Sequence, residues 1–456
     1  MVFDSSTRYK GVSLNEVIMN GQDITNNLQG ILLRFRREHI AMSGDVEQMF
    51  HQFRVHEPHR NYLRFLWHPQ NDLEEPLQEY RMTVHVFGNR PSPAVATYGI
   101  RRSVSDADLD VRDFVCRNFY VDDGLISCAS VPKAVDLMKR TQLDLMEGGQ
   151  LRLHKIASNS KEFLCQFDKN DLAKDLKNLD IGEDNLPVQR SLGLSWDIEQ
   201  DTFIFRLLSD PKPFTRRGVL STINSLFDPI GFTAPVTLEG KLLLKEMMTT
   251  GYSPDWDTPL PKDFQGQWEV WVNSLHHLHY LNIPRMYCNM SVKEAESLEV
   301  HVFSDASKHA IAAVAYIRVF TKSKVDVGFL LGKAKVAPSN GHALPRLELC
   351  ASLLAIEIAE VIKEHMDFTT GMFHFYTDSK VSLGYISNET RRFHVYVSNR
   401  VSRIRAFCCP EQWNGTFLDT IFILFGHITL FRLRITDEGL VPETCMSGPC
   451  CKFIRS

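Results

Sequence analysis

Two adjacent aspartates, Asp122 and Asp123, interrupt the stretch Phe119–Ser127, FYVDDGLIS, and a glycine follows them at once. Neighbouring carboxylates repel, so a fold keeps them at a solvated turn or around a cation. An Asp-Gly step between apolar runs is equally a hairpin signal, and on this stretch alone both readings stand. Asp45 opens GDVEQMFHQFRV, five positions before Phe50. By itself it reads as a cap or turn residue. Joined to Asp122 and Asp123 it completes a three-carboxylate set for two Mg²⁺, which phosphoryl transfer uses to activate an attacking oxygen and steady a leaving pyrophosphate. A second acidic set follows: Asp305 in FSDAS, Glu348 in LPRLELCASLLA and Asp378 in YTDSK. Singly these read as caps. Together, two aspartates at strand exits and a glutamate at a helix start can gather around metal ions.

The elements that must position these residues are partly visible in the periodicity. The pattern predicts a helix over Asn26–Phe35, a strand running into Asp45, a hairpin at Asp122 and Asp123, and a helix over Val131–Met146. From Lys161 to about Tyr287, repeated prolines (Pro211, Pro213, Pro229, Pro235, Pro254, Pro259, Pro261) predict a connector of short helices. At Leu298 the alternating LEVHVFSDAS delivers Asp305. The pattern then predicts two further strands and two helices reaching Arg405, with Ile311–Val319 β-rich, an apolar stripe on Leu347–His365, a strand over Phe373–Thr377 and a helix after Ser379, the whole an α/β module.

At 456 residues, 44% hydrophobic and 23% charged, the chain is globular and long enough for two to four domains. A net charge of -4 gives no global attraction to nucleic acid, so such binding must rest on local clusters. The candidates are Arg34, Arg36 and Arg37; Arg216 and Arg217; and Arg391, Arg392, Arg400, Arg403 and Arg405. Ten cysteines without CxxC pairs or zinc spacing fit a reducing interior, and no integrase zinc motif or nucleocapsid-type Cys/His box is present. No signal peptide is evident, and the apolar run Ile421–Phe431 is too short for a bilayer, so an intracellular protein of cytoplasm or nucleus, without a membrane partner, is expected.

The box Tyr120–Asp123, YVDD, resembles the hallmark of reverse transcriptases. VFDSSTRYKGVSLNEVI, MFHQFRV and GGQLRLHKIASNS around it are similar to the polymerase region of Pao/BEL-type LTR retrotransposon polyproteins. That resemblance implies the palm triad Asp45, Asp122 and Asp123. It places Phe50 at a steric gate against the 2′-hydroxyl, and Gly88, Arg90, Ser92 and Pro93 of FGNRPSPAV in the template and nucleotide pocket. Tyr120 heads the hallmark box, and Lys155 lies near the leaving pyrophosphate. SLGLSWD, Ser191–Asp197, resembles the primer-grip hairpin, and RRGVLSTINSLFDPIGFTAP, from Arg216, a thumb and connection segment often labelled a peptidase. Retroelement aspartic peptidases use Asp-Thr-Gly or Asp-Ser-Gly; neither tripeptide occurs here. Asp305, Glu348 and Asp378 resemble the metal-holding set of the ribonuclease H domain of the same elements.

The resemblance therefore implies an α+β and α/β multidomain chain. Residues 1–165 are expected to form partial fingers and palm, 166–295 a helical thumb and connection, and 296–410 a ribonuclease H-like domain, with a tail at 411–456. The implied activity is RNA-directed DNA synthesis with Mg²⁺, template–primer, RNA–DNA hybrid and deoxynucleoside triphosphates, other retroelement proteins being possible partners. The alternative is a catalytically inactive nucleic-acid-binding remnant. Two departures from the pattern predict impaired activity: the chain starts at the strand that follows the family's triphosphate-gripping residues, and QWNGTFLDTIFILF stands where a fourth ribonuclease H acid is expected, with Asp419 its nearest candidate.

Overall fold

The computed structural model describes residues 2–176, 187–191, 193–205, 212–249, 255–292, 295–322, 324–338, 343–415, 433–434 and 441–442. The chain divides into two compact units, Met1–Ile31 with His39–Pro187, and Leu32–Glu38 with Val188 onward.

In the first unit, strand β1 (Ile40–Val46) leads to Asp45, and α1 (Ser92–Ser103) and α2 (Leu109–Asn118) precede a hairpin of β2 (Phe119–Tyr120) and β3 (Asp123–Cys128). Helix α3 (Val131–Gly149) and β4 (Leu153–Ser158) complete it. The antiparallel order is β2-β3-β1-β4. Buried Ala134, Met138, Thr141 and Leu145 recur at helical spacing on α3, which packs on α1, α2 and the sheet. The sheet buries one face and leaves the ends of β1 and β3 half-exposed. Asp45, Asp122 and Asp123 sit at that end.

In the second unit, the expected connector of short helices contains, where the resemblance implies a hairpin only at Ser191–Asp197, a four-stranded antiparallel sheet: β5 (Val188–Ser191), β6 (Leu194–Asp197), β7 (Thr202–Ile204) and β8 (Asn282–Pro284). Strands of three or four residues are too short to show a period of two, which is why periodicity missed them. Helices α4 (Arg216–Ser225), α5 (Ala234–Thr249) and α6 (Gln265–Ser274) follow the proline punctuation.

The α/β module adds strands Val325–Val336 and Trp413–Gly415 and helix Val395–Phe407 to the elements expected. Its sheet runs β11-β10-β9-β12-β13, with β9 (Ser297–Ala306), β10 (Ala310–Phe320) and β11 (Val325–Val336) antiparallel, and β12 (Phe373–Thr377) and β13 (Trp413–Gly415) parallel to β9. Helix α7 (Leu344–Met366) packs on β9, β10 and α9 (Val395–Phe407), and α8 (Lys380–Ser387) follows β12. Leu347, Ala351, Leu354, Ile358 and Ile362 form the buried stripe of α7.

Two arginines proposed for nucleic acid serve this unit's core instead. Arg36 is 2% exposed and donates to the carbonyls of Arg285 (2.8 Å) and Phe329 (2.9 Å), with its guanidinium over the rings of Phe232 and Tyr287. Arg34 is also buried and donates to the carbonyl of His365 at the end of α7, where the helix dipole favours a cation. Arg285, wholly buried, donates to the carbonyls of Phe35 and Glu38 and to both oxygens of Asp201. A charged cluster in sequence is thus a set of carbonyl caps in the fold.

Candidate active sites

The β2–β3 hairpin closes through a two-residue loop, Val121–Asp122, because Tyr120 pairs directly with Asp123. Val121 takes φ 59°, the left-handed value that such tight loops demand and that a β-branched residue adopts at a cost. The carbonyl of Asp122 accepts the Val46 N–H at 3.0 Å, which ties the hairpin tip to the end of β1. Asp45 stands directly opposite Asp123. Cross-strand partners project to the same face, so Asp45 and Asp123 share a face beside the loop that carries Asp122, while the three acids do not close on one another as a single group of ligand atoms.

Electrostatics follow from that crowding. Burial, then repulsion from Asp122 and Asp45, pushes Asp123 up to about 7. Asp122 is also raised, by burial first and by Asp45. Asp45 is held by two side chains: Oδ1 contacts His154 Nε2 at 3.1 Å and Oδ2 accepts from Lys155 Nζ at 3.0 Å. His154 went unnoticed in the sequence, although the alternation of LHKIASN would set it on one face of a strand.

The neighbouring residues divide by surroundings. Phe50 follows β1 in a single 3₁₀ turn, is 7% exposed and meets Phe87 edge-on at 4.5 Å between ring centres. Gly88 has φ 98°, and a Cβ there would lie 1.8 Å from the Phe3 carbonyl oxygen, so only glycine fits. The Asn15 side chain accepts from the Arg90 N–H and donates to the Gly88 carbonyl, leaving the Arg90 guanidinium exposed. Ser92 is buried at the start of α1 and donates to the Val86 carbonyl. Tyr120 is half-buried. Of the resembled primer-grip hairpin, β5 and β6 pair antiparallel with Ser191 opposite Leu194, and Leu192 lies outside the described residues.

The second set gathers more tightly. Ligand oxygens of Asp305, Glu348 and Asp378 all lie within 4.8 Å of one another, the one such group of three among the described residues. Asp305 is near the end of β9, Asp378 follows β12, and Glu348 is on the first turns of α7. Burial, then Asp378, raises Asp305 to about 6; burial, then Asp305 and Asp378, raises Glu348 to about 8. Glu348 Oε2 and Asp378 Oδ1 are buried without a hydrogen-bond partner. Orphaned acceptors beside like charges are costly unless a cation completes them. The donor set therefore fits a hard divalent ion such as Mg²⁺, which binds through one or two carboxylates. Asp419 lies outside the described residues.

Residues 215–379 match the Pao retrotransposon-like RNaseH-like domain, a span that contains all three acids. That stretch is similar to the family, and the chain has the reverse transcriptase–ribonuclease H fold. The fold extends over most of the chain: a foamy viral protease-reverse transcriptase in complex with double-stranded DNA aligns with 91% of it at TM-score 0.54 and 15% identity. A foamy viral protease-reverse transcriptase in complex with RNA/DNA hybrid aligns with 95% at TM-score 0.53 and 14% identity. The chain spans 62% and 49% of the lengths of those two chains. No curated protein sequence matches it. Among the described residues, no helix is long and apolar enough to cross a membrane.

Proposed function

We propose that the chain is an RNA-directed DNA polymerase with an attached ribonuclease H-like centre, acting inside the cell on template–primer, deoxynucleoside triphosphates and RNA–DNA hybrid. Its proposed parts are palm and partial fingers to about residue 165, connection to about 295, and a ribonuclease H-like part to about 410. The observation that carries this reading is the presence, on one chain of this fold, of two separate carboxylate sets, one at a strand end and hairpin tip where Asp123 is raised, the other at two strand exits and a helix start where Asp305 and Glu348 are raised. The neighbours in complex with double-stranded DNA and RNA/DNA hybrid support the choice of partner.

In the palm, Asp45, Asp122 and Asp123 would hold Mg²⁺, and in the second centre Asp305, Glu348 and Asp378. When bound, the ions supply an activated oxygen nucleophile and charge stabilisation at the phosphate. The protein's own part is to orient the carboxylates through the β1–β3 pairing and the α7 start. Phe50 would border the sugar, Tyr120 and Arg90 the template and nucleotide, with Gly88 and Ser92 shaping the loop between them.

The test is primer extension on an RNA template and cleavage of a labelled RNA–DNA hybrid, both in Mg²⁺. Asp123→Asn is expected to abolish extension and spare cleavage, and Asp378→Asn the reverse. Hybrid binding with neither activity would favour instead a binding remnant, a reading to which the engagement of both Asp45 oxygens lends weight.

A further inference from the structure

Between β1 and β4 the pairing slips: Ser43 faces Ala157 and Asp45 faces His154, so Lys155 and Ile156 together stand opposite the single residue Gly44. This is a β-bulge, and Lys155 takes φ 49° within it. A regular strand sends consecutive side chains to opposite faces, whereas a bulge re-aims one of them. Here the result is that the adjacent residues His154 and Lys155 both reach the Asp45 carboxylate, one on each oxygen. The two grips differ in mobility. The His154 side chain is 13% exposed, and that of Lys155 is 54% exposed at the end of a flexible stem.

Resting on the palm reading above, we propose that Lys155 is a built-in counter-cation of Asp45 which a divalent ion displaces, while His154 is a positioning residue that keeps the carboxylate in place during the exchange. Lysine presents a compact charge and no fixed geometry, so its withdrawal into solvent leaves Oδ2 free. Histidine donates along one direction and is packed, so Oδ1 stays held while Oδ2 is released. A hydrogen bond that orients a ligand carboxylate is worth about 10-fold or more in metal affinity. An exposed ion pair is worth about three- to fivefold at most. The two substitutions are therefore expected to move metal affinity in opposite directions.

The experiment uses the full chain carrying Asp378→Asn, which weakens the second centre, and follows free Mn²⁺ by electron paramagnetic resonance during titration. Lys155→Met is expected to bind Mn²⁺ about threefold more tightly, and His154→Ala about 10-fold more weakly. His154→Gln, whose amide still donates, should stay near the parent, and a conserved circular dichroism spectrum secures the fold of each variant. Unchanged or weaker binding in Lys155→Met, or unchanged binding in His154→Ala, overturns the proposal. Asp45→Asn reports separately on the palm reading: loss of the Mn²⁺ site upholds it, and an intact site removes it together with the proposal.

Discussion

Asp305 and Asp378 lie two residues beyond Phe303 and Tyr376, which are directly paired on the adjacent parallel strands β9 and β12. Parallel pairing carries both chains out of the sheet at the same end, so the carboxylates arrive side by side without any contact between them in sequence. Glu348 then enters from α7. The cluster is crowded by its topology.

That crowding has a pH signature. The ordinary value for Glu348 is 4.5 and the folded value about 8, so the folded protein binds the proton more tightly than the unfolded chain. Stability from this group is present below about 4.5 and is lost as pH rises towards 8. A divalent ion offsets the repulsion where the carboxylates are ionised and must expel protons where they are not. Calorimetry is therefore expected to show Mg²⁺ raising Tm by about 2–4 °C at alkaline pH, and by clearly less near pH 6. An equal rise at both, or the same rise in Asp378→Asn, contradicts the assignment.

Phe50 separates two roles that a single substitution to alanine would confuse. Its ring is packed on Phe87, and removing it altogether would cost about 3–5 kcal/mol of stability. Phe50→Val keeps part of the packing while shortening the side chain. Ribonucleotide incorporation relative to deoxynucleotide incorporation is expected to rise at least about 10-fold, since discrimination needs a clash that exists for one sugar only. Single-nucleotide extension kinetics measure the ratio. An unchanged ratio leaves Phe50 as core alone.

Arginines are expected to fall into two classes. Arg36→Met strands several buried carbonyls and should lower stability by about 3 kcal/mol, with no change in the salt dependence of hybrid binding. Arg391 and Arg392 are exposed before α9. Replacing either by alanine should leave stability within about 0.5 kcal/mol and reduce the salt slope of hybrid binding by about 1. Denaturant titration and binding at several salt concentrations resolve the classes, and a salt-slope change in Arg36→Met would count against the burial argument.

What the sequence determined by itself was local: the order of two acidic sets, the strand running into Asp45, a hairpin at the adjacent aspartates, whose loop is Val121–Asp122 rather than the Asp-Gly step, and the apolar stripe of α7. These depend on alternation, helical spacing and turn chemistry, which neighbours in the chain impose. Only the tertiary structure decided the rest. The closeness of Asp305, Glu348 and Asp378 depends on strand register between segments some seventy residues apart. The bulge that brings His154 and Lys155 to one carboxylate depends on a slip in pairing between β1 and β4. The conversion of Arg34 and Arg36 from surface charges into carbonyl caps depends on which backbone ends meet them in the core. Periodicity tells which way a side chain points along its own element; what it meets there is set by the partner strand or helix, and that pairing is a property of the folded chain.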